Sequence, residues 1–273
     1  MAEIEKLEKW AHVLRVNTLN AVYRVKSGHL GGSFSAADMI AALYLHHMNL
    51  RPEEPSWSER DRFVLSKGHA APVLYAALAQ RGYFPLEELD RLRQVDSMLQ
   101  GAPNLKIPGV DMSAGPLGQG LSAAVGMALA GRVQQKSYRV YCMLGDGELD
   151  EGQVWEAAMS AAKFKLNRLI GILDHNKVQM SGTNDELMPL GDIRAKWEAF
   201  GWHTLVIDGH NMGQIVEALD KANENVGAPL MIIMETVKGK GVSFMEGKAA
   251  WHGACPNEEQ YRQALAELGE VCE

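Results

Sequence analysis

The chain of 273 residues is 47% hydrophobic, ample for a sizeable buried core, and its formal net charge of −7 provides no electrostatic footprint for nucleic acid or an anionic membrane, though a local phosphate site stays open. Three cysteines, Cys142, Cys255 and Cys272, match no zinc spacing and read as reduced thiols in a cytoplasmic protein. Residues 1–10 lack the apolar core of a signal peptide, and no apolar run approaches the ~18 residues of a membrane span.

Apolar residues recur at helical spacing over 3–26 (Leu7, Trp10, Val13, Leu14, Leu19, Val22, Val25), which predicts a long helix stopping at Ser27-Gly28. His29-Leu30-Gly31-Gly32 reads as a loop, and Ser35 as the cap of a second helix over 36–48 with Met39, Ile40, Leu43 and Tyr44 on its core face. A charged connector with prolines, 51–61, leads to a short buried strand, 62–65, ending in Ser66-Lys67-Gly68-His69. Helices are predicted over 70–81 and 86–99, the second introduced by Pro85. Residues 100–120, rich in glycine and proline, form the longest stretch without periodicity, and loops of that length in a compact domain are usually functional. A helix of small residues follows over 118–132.

The stretch 138–176 organises the rest. An apolar strand, 138–144, runs into Gly145-Asp146-Gly147, then a helical pattern over 151–166, then a second apolar run, 168–174, that ends at Asn176. A helix of that length spans roughly 24 Å at about 1.5 Å per residue, and a seven-residue strand about 23 Å. Asp146 and Asn176 can therefore lie at the same end of a sheet, at the carboxyl ends of neighbouring parallel strands, where open α/β sheets bind ligands. Beyond it come a helix over 188–200, a strand over 203–208, a helix over 212–225, a strand over 229–237, a second glycine-bearing loop over 238–253 and a helix over 257–268 capped by Asn257. Strands alternating with helices predict an α/β fold, an open and mostly parallel sheet with helices on both faces, in a single domain spanning 1–273.

Glycines on either side of Asp146 let the backbone approach a ligand and leave amides free to face phosphate. One carboxylate, one amide oxygen and a nearby carbonyl make a poor zinc site but a good partial magnesium site, completed by phosphate oxygens and water. The alternative is an ordinary strand-end turn in which Asp146 caps the following helix.

Gly145-Asp146-Gly147-Glu148, with Asn176 at this distance and Val178 two beyond it, resembles the thiamine-diphosphate signature of transketolase-like enzymes. Ser27-Gly28-His29, Ser66-Lys67-Gly68-His69, Gly115-Pro116-Leu117-Gly118-Gln119-Gly120, and Lys238-Gly239-Lys240-Gly241 followed by Trp251-His252-Gly253 resemble transketolase specifically, and they occur in family order. The resemblance implies the thiamine-diphosphate-binding fold, in its diphosphate-binding half. It implies that Asp146, Asn176 and the Val178 carbonyl coordinate Mg2+ (or Ca2+/Mn2+ in its place), that Gly147 donates to the diphosphate, and that Gly115 and Leu117 lie along the cofactor. His69 and His252 are placed on the cofactor too, and with His29 they form a catalytic set that handles protons and substrate hydroxyls. Glu151 and Glu156 are either favourable charge at a helix start or, by resemblance, buried acids at a subunit interface. His12, His46, His47 and His203 match nothing, His175 is assigned to packing and His210 to stabilising a turn.

Two departures from the family shape the expectation. Ala102 stands where the family usually has a histidine after the glycine, which opens the possibility of a non-standard substrate. The family's usual enzyme also continues into a pyrimidine-binding and a third domain beyond the region matched, whereas this chain ends at Glu273. The expectation is therefore the amino-terminal subunit of a split transketolase, transferring a two-carbon ketol unit from a ketose (phosphate) to an aldose (phosphate), inactive without a carboxy-terminal partner and assembling as α2β2. The alternatives are a subunit of a deoxyxylulose-phosphate synthase-like or 2-oxoacid dehydrogenase-like enzyme, or a non-catalytic thiamine-diphosphate-binding module.

Overall fold

Five apolar runs become five strands in a computed structural model that describes residues 2–269: β1 (Arg62–Leu65), β2 (Val140–Gly145), β3 (Leu169–His175), β4 (His203–Asp208) and β5 (Leu230–Glu235). Cys272 and the chain end at Glu273 lie outside the described residues. The sheet has the order β1-β2-β3-β5-β4 and every neighbouring pair is parallel. Parallel strands need crossovers, and the helices α1 (Ala2–Val25), α2 (Gly31–Ala42), α3 (Ala71–Arg81), α4 (Gln119–Val133), α5 (Gly152–Lys163), α6 (Asn184–Leu187), α7 (Ile193–Ala199), α8 (Met212–Glu224) and α9 (Glu258–Leu268) supply the cover.

Period-two alternation divides each central strand between two cores. Tyr141 and Met143 of β2 and Ile170 and Ile172 of β3 face a cluster with α1, α2, α3 and α8. Val140, Cys142 and Leu144 of β2 and Leu169 and Leu173 of β3 face the other, with α4, α5 and Trp197 of α7. Both faces being covered, β2, β3 and β5 read as continuous apolar runs, while the edge strand β4 is partly exposed.

Some elements differ from those expected. Gly31 and Gly32 are not loop but the first turn of α2. Ser35 is consequently inside the helix rather than capping it, and its hydroxyl turns to Gly32 O and to Asp174. Residues 86–99 make only one short 3-10 run, Leu86–Arg91, then irregular turns that bury Leu92 and Leu99. The helix expected over 188–200 starts late, as α7 capped by Asp192, and the short α6, with a capping box from Thr183 and Glu186, precedes the expected range altogether.

Candidate functional site

The carboxyl ends of β1, β2 and β3 converge. Gly145 pairs with Asp174 in the sheet, which sets Asp146 beside the turn that follows β3. Asp146 is 3% exposed and fully engaged: Oδ1 accepts from Gly147 N at 2.9 Å, and Oδ2 from Lys177 N at 2.5 Å and Asn184 Nδ2 at 2.9 Å. Burial, reinforced by the charge of Asp174, pushes its carboxyl up against those hydrogen bonds. A carboxylate raised in this way gains from any cation brought to it.

Asp174, fully buried, is the second acidic centre. It accepts from Lys67 Nζ, from Ser35 Oγ at 2.6 Å, from Thr236 Oγ1 and from Asn176 Nδ2 at 3.2 Å. Burial pushes its carboxyl up, but the Lys67 ammonium and the hydroxyl donors outweigh that and hold it below the ordinary range. Lys67 also donates to Gly32 O at 2.8 Å. This ion pair joins β1, β3 and α2 at one point.

A third buried acid ties the loops together. Glu148 accepts from Gly118 N at 2.7 Å, Gly145 N at 3.1 Å and Ser66 Oγ. The start of α4 comes so close to this knot that a Cβ on Gly120 would stand 2.3 Å from Ser66 Oγ. Gly118 enters α4 at φ +82°, a conformation that favours glycine.

Positive charge gathers opposite. Lys238 is 1% exposed and its Nζ donates to Val178 O at 2.8 Å, Gln179 O at 3.1 Å and His252 Nδ1 at 2.9 Å. Burial, with Lys67 opposing the help of Asp146, brings its pKa down to about 8. The imidazoles of His29, His69 and His252 pack together, with ring centroids 4.8–5.4 Å apart. Burial and the neighbouring cations lower all three, His69 to about 2 and His252 to about 4, so they are neutral at physiological pH.

A cavity of about 330 Å³ lies among these groups. Leu117, Asp146, Gly147, Asn176, Val178, His69 and His252 line it together with Lys67, Lys238, Glu148, Glu151 and Gln179. His29 reaches it through its ring contacts with His69 and His252. Gly115 stands beside the wall, its amide 3.4 Å from where a Cβ on Gly68 would be. Glu151 and Glu156 are both exposed, the first at the rim and the second on α5 beside Ser122. His210 bonds Asp38 and receives Val237 N, bracing the turn after β4, and His175 bonds Glu235.

The donor set suits a divalent cation held with an anion. Asp146 supplies a carboxylate, Asn176 an amide oxygen and Val178 a carbonyl whose oxygen already faces the Lys238 ammonium, which marks it as a place for positive charge. Among the described residues no cluster of three His, Cys, Asp or Glu side chains could hold a metal, which disfavours zinc. Two buried lysines suit phosphate oxygens, whereas the Gly145 and Gly147 amides are given to Glu148 and Asp146 here.

Sequence reasoning missed the tying residues Glu148, Asp174, Ser35 and Thr236, and the cations Lys67 and Lys238, as parts of the site. Both lysines stand inside the motif stretches themselves, and a charged residue just after a buried apolar strand, as Lys67 is, was the available signal.

Comparison with known proteins gives a consistent picture. Residues 7–271 match the family described as transketolase, thiamine diphosphate binding domain. The chain is 49% identical over 263 residues to the 6-deoxy-6-sulfo-D-fructose transketolase subunit SqwG of Clostridium sp. (strain MSTE9), covering 96% of both chains. It is 40% identical over 271 residues to an apulose-4-phosphate transketolase subunit of Phocaeicola vulgatus, covering 99% of this chain and 96% of that one. Against the transketolase of Homo sapiens it is 40% identical but spans only 42% of that protein. The crystal structure of transketolase from Campylobacter jejuni superposes with a TM-score of 0.91 at 34% identity, over 96% of this chain and 42% of that one.

Proposed function

We propose, from the premise that the chain belongs to the family of transketolase thiamine diphosphate-binding domains, that it is the amino-terminal subunit of a split, two-chain transketolase. The observation that carries this reading is the pair of relatives matched over nearly their whole length, each named as a transketolase subunit. The described residues form the diphosphate half of an active site, and we read 1–273 as that single domain. The carboxy-terminal partner supplies the pyrimidine half in an α2β2 assembly. Leu117, Met180, Leu187 and Met188, apolar and exposed, suit the rim of such a contact. We place the enzyme in the cytoplasm, consistent with the free thiols of Cys142 and Cys255.

Thiamine diphosphate, when bound, supplies the nucleophilic carbon that carries a two-carbon ketol unit from a ketose (phosphate) to an aldose (phosphate). The chain's own residues do the rest. Asp146, Asn176 and the Val178 carbonyl would hold Mg2+, Lys67 and Lys238 set positive charge near the diphosphate, and Gly147 N would turn from Asp146 Oδ1 to donate to it. Leu117 supports the organic part of the cofactor from the loop before α4. His29, His69 and His252, neutral in this enclosure, donate to and accept from substrate hydroxyls without adding charge.

The test uses the chain with its partner. Asp146→Ala is expected to abolish magnesium-dependent thiamine diphosphate binding in calorimetry, and unchanged affinity would sink the metal assignment. The purified chain alone is expected to show no ketol transfer. Robust turnover by it would refute the two-chain reading.

A further inference from the structure

The three histidines differ in what holds them. His69 has no hydrogen-bond partner among the described residues, His252 meets Lys238, and His29 meets Arg93. Arg93 Nη2 lies 3.2 Å from His29 Nδ1, while its Nη1 donates to Ser27 Oγ at 2.8 Å. A guanidinium has five N–H donors and no acceptor, so the direction of the first bond is fixed: Nδ1 accepts. A neutral imidazole accepting at Nδ1 carries its proton on Nε2.

Nε2 is the nitrogen left for a ligand. It lies 3.4 Å from the position a Cβ on Gly253 would occupy, so the glycine after His252 leaves that approach open. The loop that carries Ala102 runs close over Arg93, whose Nη2 is 3.1 Å from where a Cβ on Gly101 would be.

Resting on the transketolase reading, we propose that Arg93 is a positioning residue that fixes His29 as the neutral Nε2–H tautomer, so that His29 acts as a hydrogen-bond donor to a substrate oxygen and not as a base. Among the described residues the groups facing His29 are Arg93, the rings of His69 and His252, and the more distant Lys238. No carboxylate is among them. Burial first, then the charges of Arg93 and Lys238, lowers the pKa of His29, which agrees with a neutral ring. In the enclosed site a fixed N–H aimed at a carbonyl or hydroxyl oxygen needs no reorganisation when charge develops there. The division of labour follows: His29 donates, and His69, with no cation hydrogen-bonded to either ring nitrogen among the described residues, is the ring free to accept.

The first measurement reads the tautomer in the full chain without cofactor. Long-range 15N–1H correlation, with His29 assigned by its loss in His29→Gln, is expected to show an unprotonated Nδ1 and a protonated Nε2. Arg93→Met is expected to bring in the Nδ1–H form and to raise the titration midpoint of His29, while Arg93→Lys, which keeps a cationic donor, holds the native pattern. Ser27→Ala separates a tether from a tautomer lock, because it loosens Arg93 without removing the donor and should leave the Nε2–H form in place. A native Nδ1–H form, or a tautomer indifferent to Arg93→Met, overturns the proposal.

The second measurement uses the assembled two-chain enzyme with xylulose 5-phosphate as donor probe. Arg93→Met is expected to lower kcat/KM on the order of tenfold, chiefly through kcat, with an altered pH profile and rescue by Arg93→Lys. A loss confined to KM, or equal loss in both variants with an unchanged pH profile, assigns Arg93 to structure alone and overturns it. A native assembly without ketol transfer counts against the functional reading, whereas the tautomer is measured independently of turnover.

Discussion

Replacing Glu148 tests whether one buried carboxylate holds three loops of the site. Its oxygens accept from Gly118 N, Gly145 N and Ser66 Oγ, and the side chain is 2% exposed. In Glu148→Gln the amide has one oxygen and one NH2. Turned either way it presents a donor to a backbone N–H, Gly118 in one orientation and Gly145 in the other. An unsatisfied buried donor costs about 1–3 kcal/mol, and the surviving bonds fall from charge-assisted to ordinary strength, about 1 kcal/mol more. Burial pushes the Glu148 carboxyl up, so removing the charge recovers some desolvation energy. The net expectation is a loss of about 2–3 kcal/mol. Glu148→Ala strands both amides and leaves a void, for about 4 kcal/mol or more. Urea unfolding measures both, the midpoint moving at constant slope. Hydrogen exchange should quicken at the Gly118 and Gly145 amides before the rest of the sheet, and cofactor affinity of the assembled enzyme should fall. A Gln variant within about 0.5 kcal/mol of the native chain, with normal exchange at those amides, would refute the reasoning.

Gly120→Ala forces a methyl against Ser66, whose Oγ would lie 2.3 Å away, and should cost about 1–3 kcal/mol by thermal unfolding; an unshifted midpoint would show that α4 slides freely. Lys67→Met leaves Asp174 charged and buried, for a loss of about 3–5 kcal/mol, and Asp174→Asn in the same chain should restore part of it. Strict additivity of the two changes would argue against the pair. Burial pushes the Asp38 carboxyl up, but Arg15 and His210 outweigh it and hold it below its ordinary 3.8. A depressed carboxyl gives stability above its unfolded pKa that is lost as pH falls through the folded one. Asp38→Asn should therefore be less stable than the native chain at pH 7, and the two should converge in acid below about pH 4. A gap independent of pH would contradict the sign.

Periodicity revealed most of the architecture because both faces of the sheet are covered. Strands such as Val140–Gly145 and Leu230–Glu235 are unbroken apolar runs, and α8 and α9 carry clear apolar stripes with Asn211 and Asn257 as caps. Where tertiary contacts decided, the pattern misled. Gly31 and Gly32 look like a loop, yet they are helical where α2 packs against Lys238 and Trp251, and a Cβ on Gly31 would stand 2.8 Å from Trp251 O. Pro85 introduces a helix expected over 86–99, whereas Leu92 and Leu99 are buried from irregular turns shaped by positive φ at Arg93 and Asp96. At the site, residues on one contiguous crossover, Asp146 and Asn176, could be placed from strand and helix lengths. Partnerships across it could not: Ser35 with Asp174 and Arg93 with His29 join positions 139 and 64 apart in sequence, and no local spacing encodes them.

The strand order has a kinetic side. Val140 pairs with Leu169, 29 positions on (169 − 140), whereas Arg62 pairs with Val140 across 78 (140 − 62). Closing the longer loop costs roughly 0.9 kcal/mol more in chain entropy, and β1 sits at the sheet edge with only four residues to hold it. β1 is therefore the last strand expected to join, and it brings Lys67 and His69 to Asp146 and Asn176, which follow the central strands. Opening of this edge would take Lys67 and His69 from the cavity and leave Asp146, Asn176 and Lys238 in place, so a ligand that bridges the two groups would act as a clasp on the slowest-closing strand of the sheet.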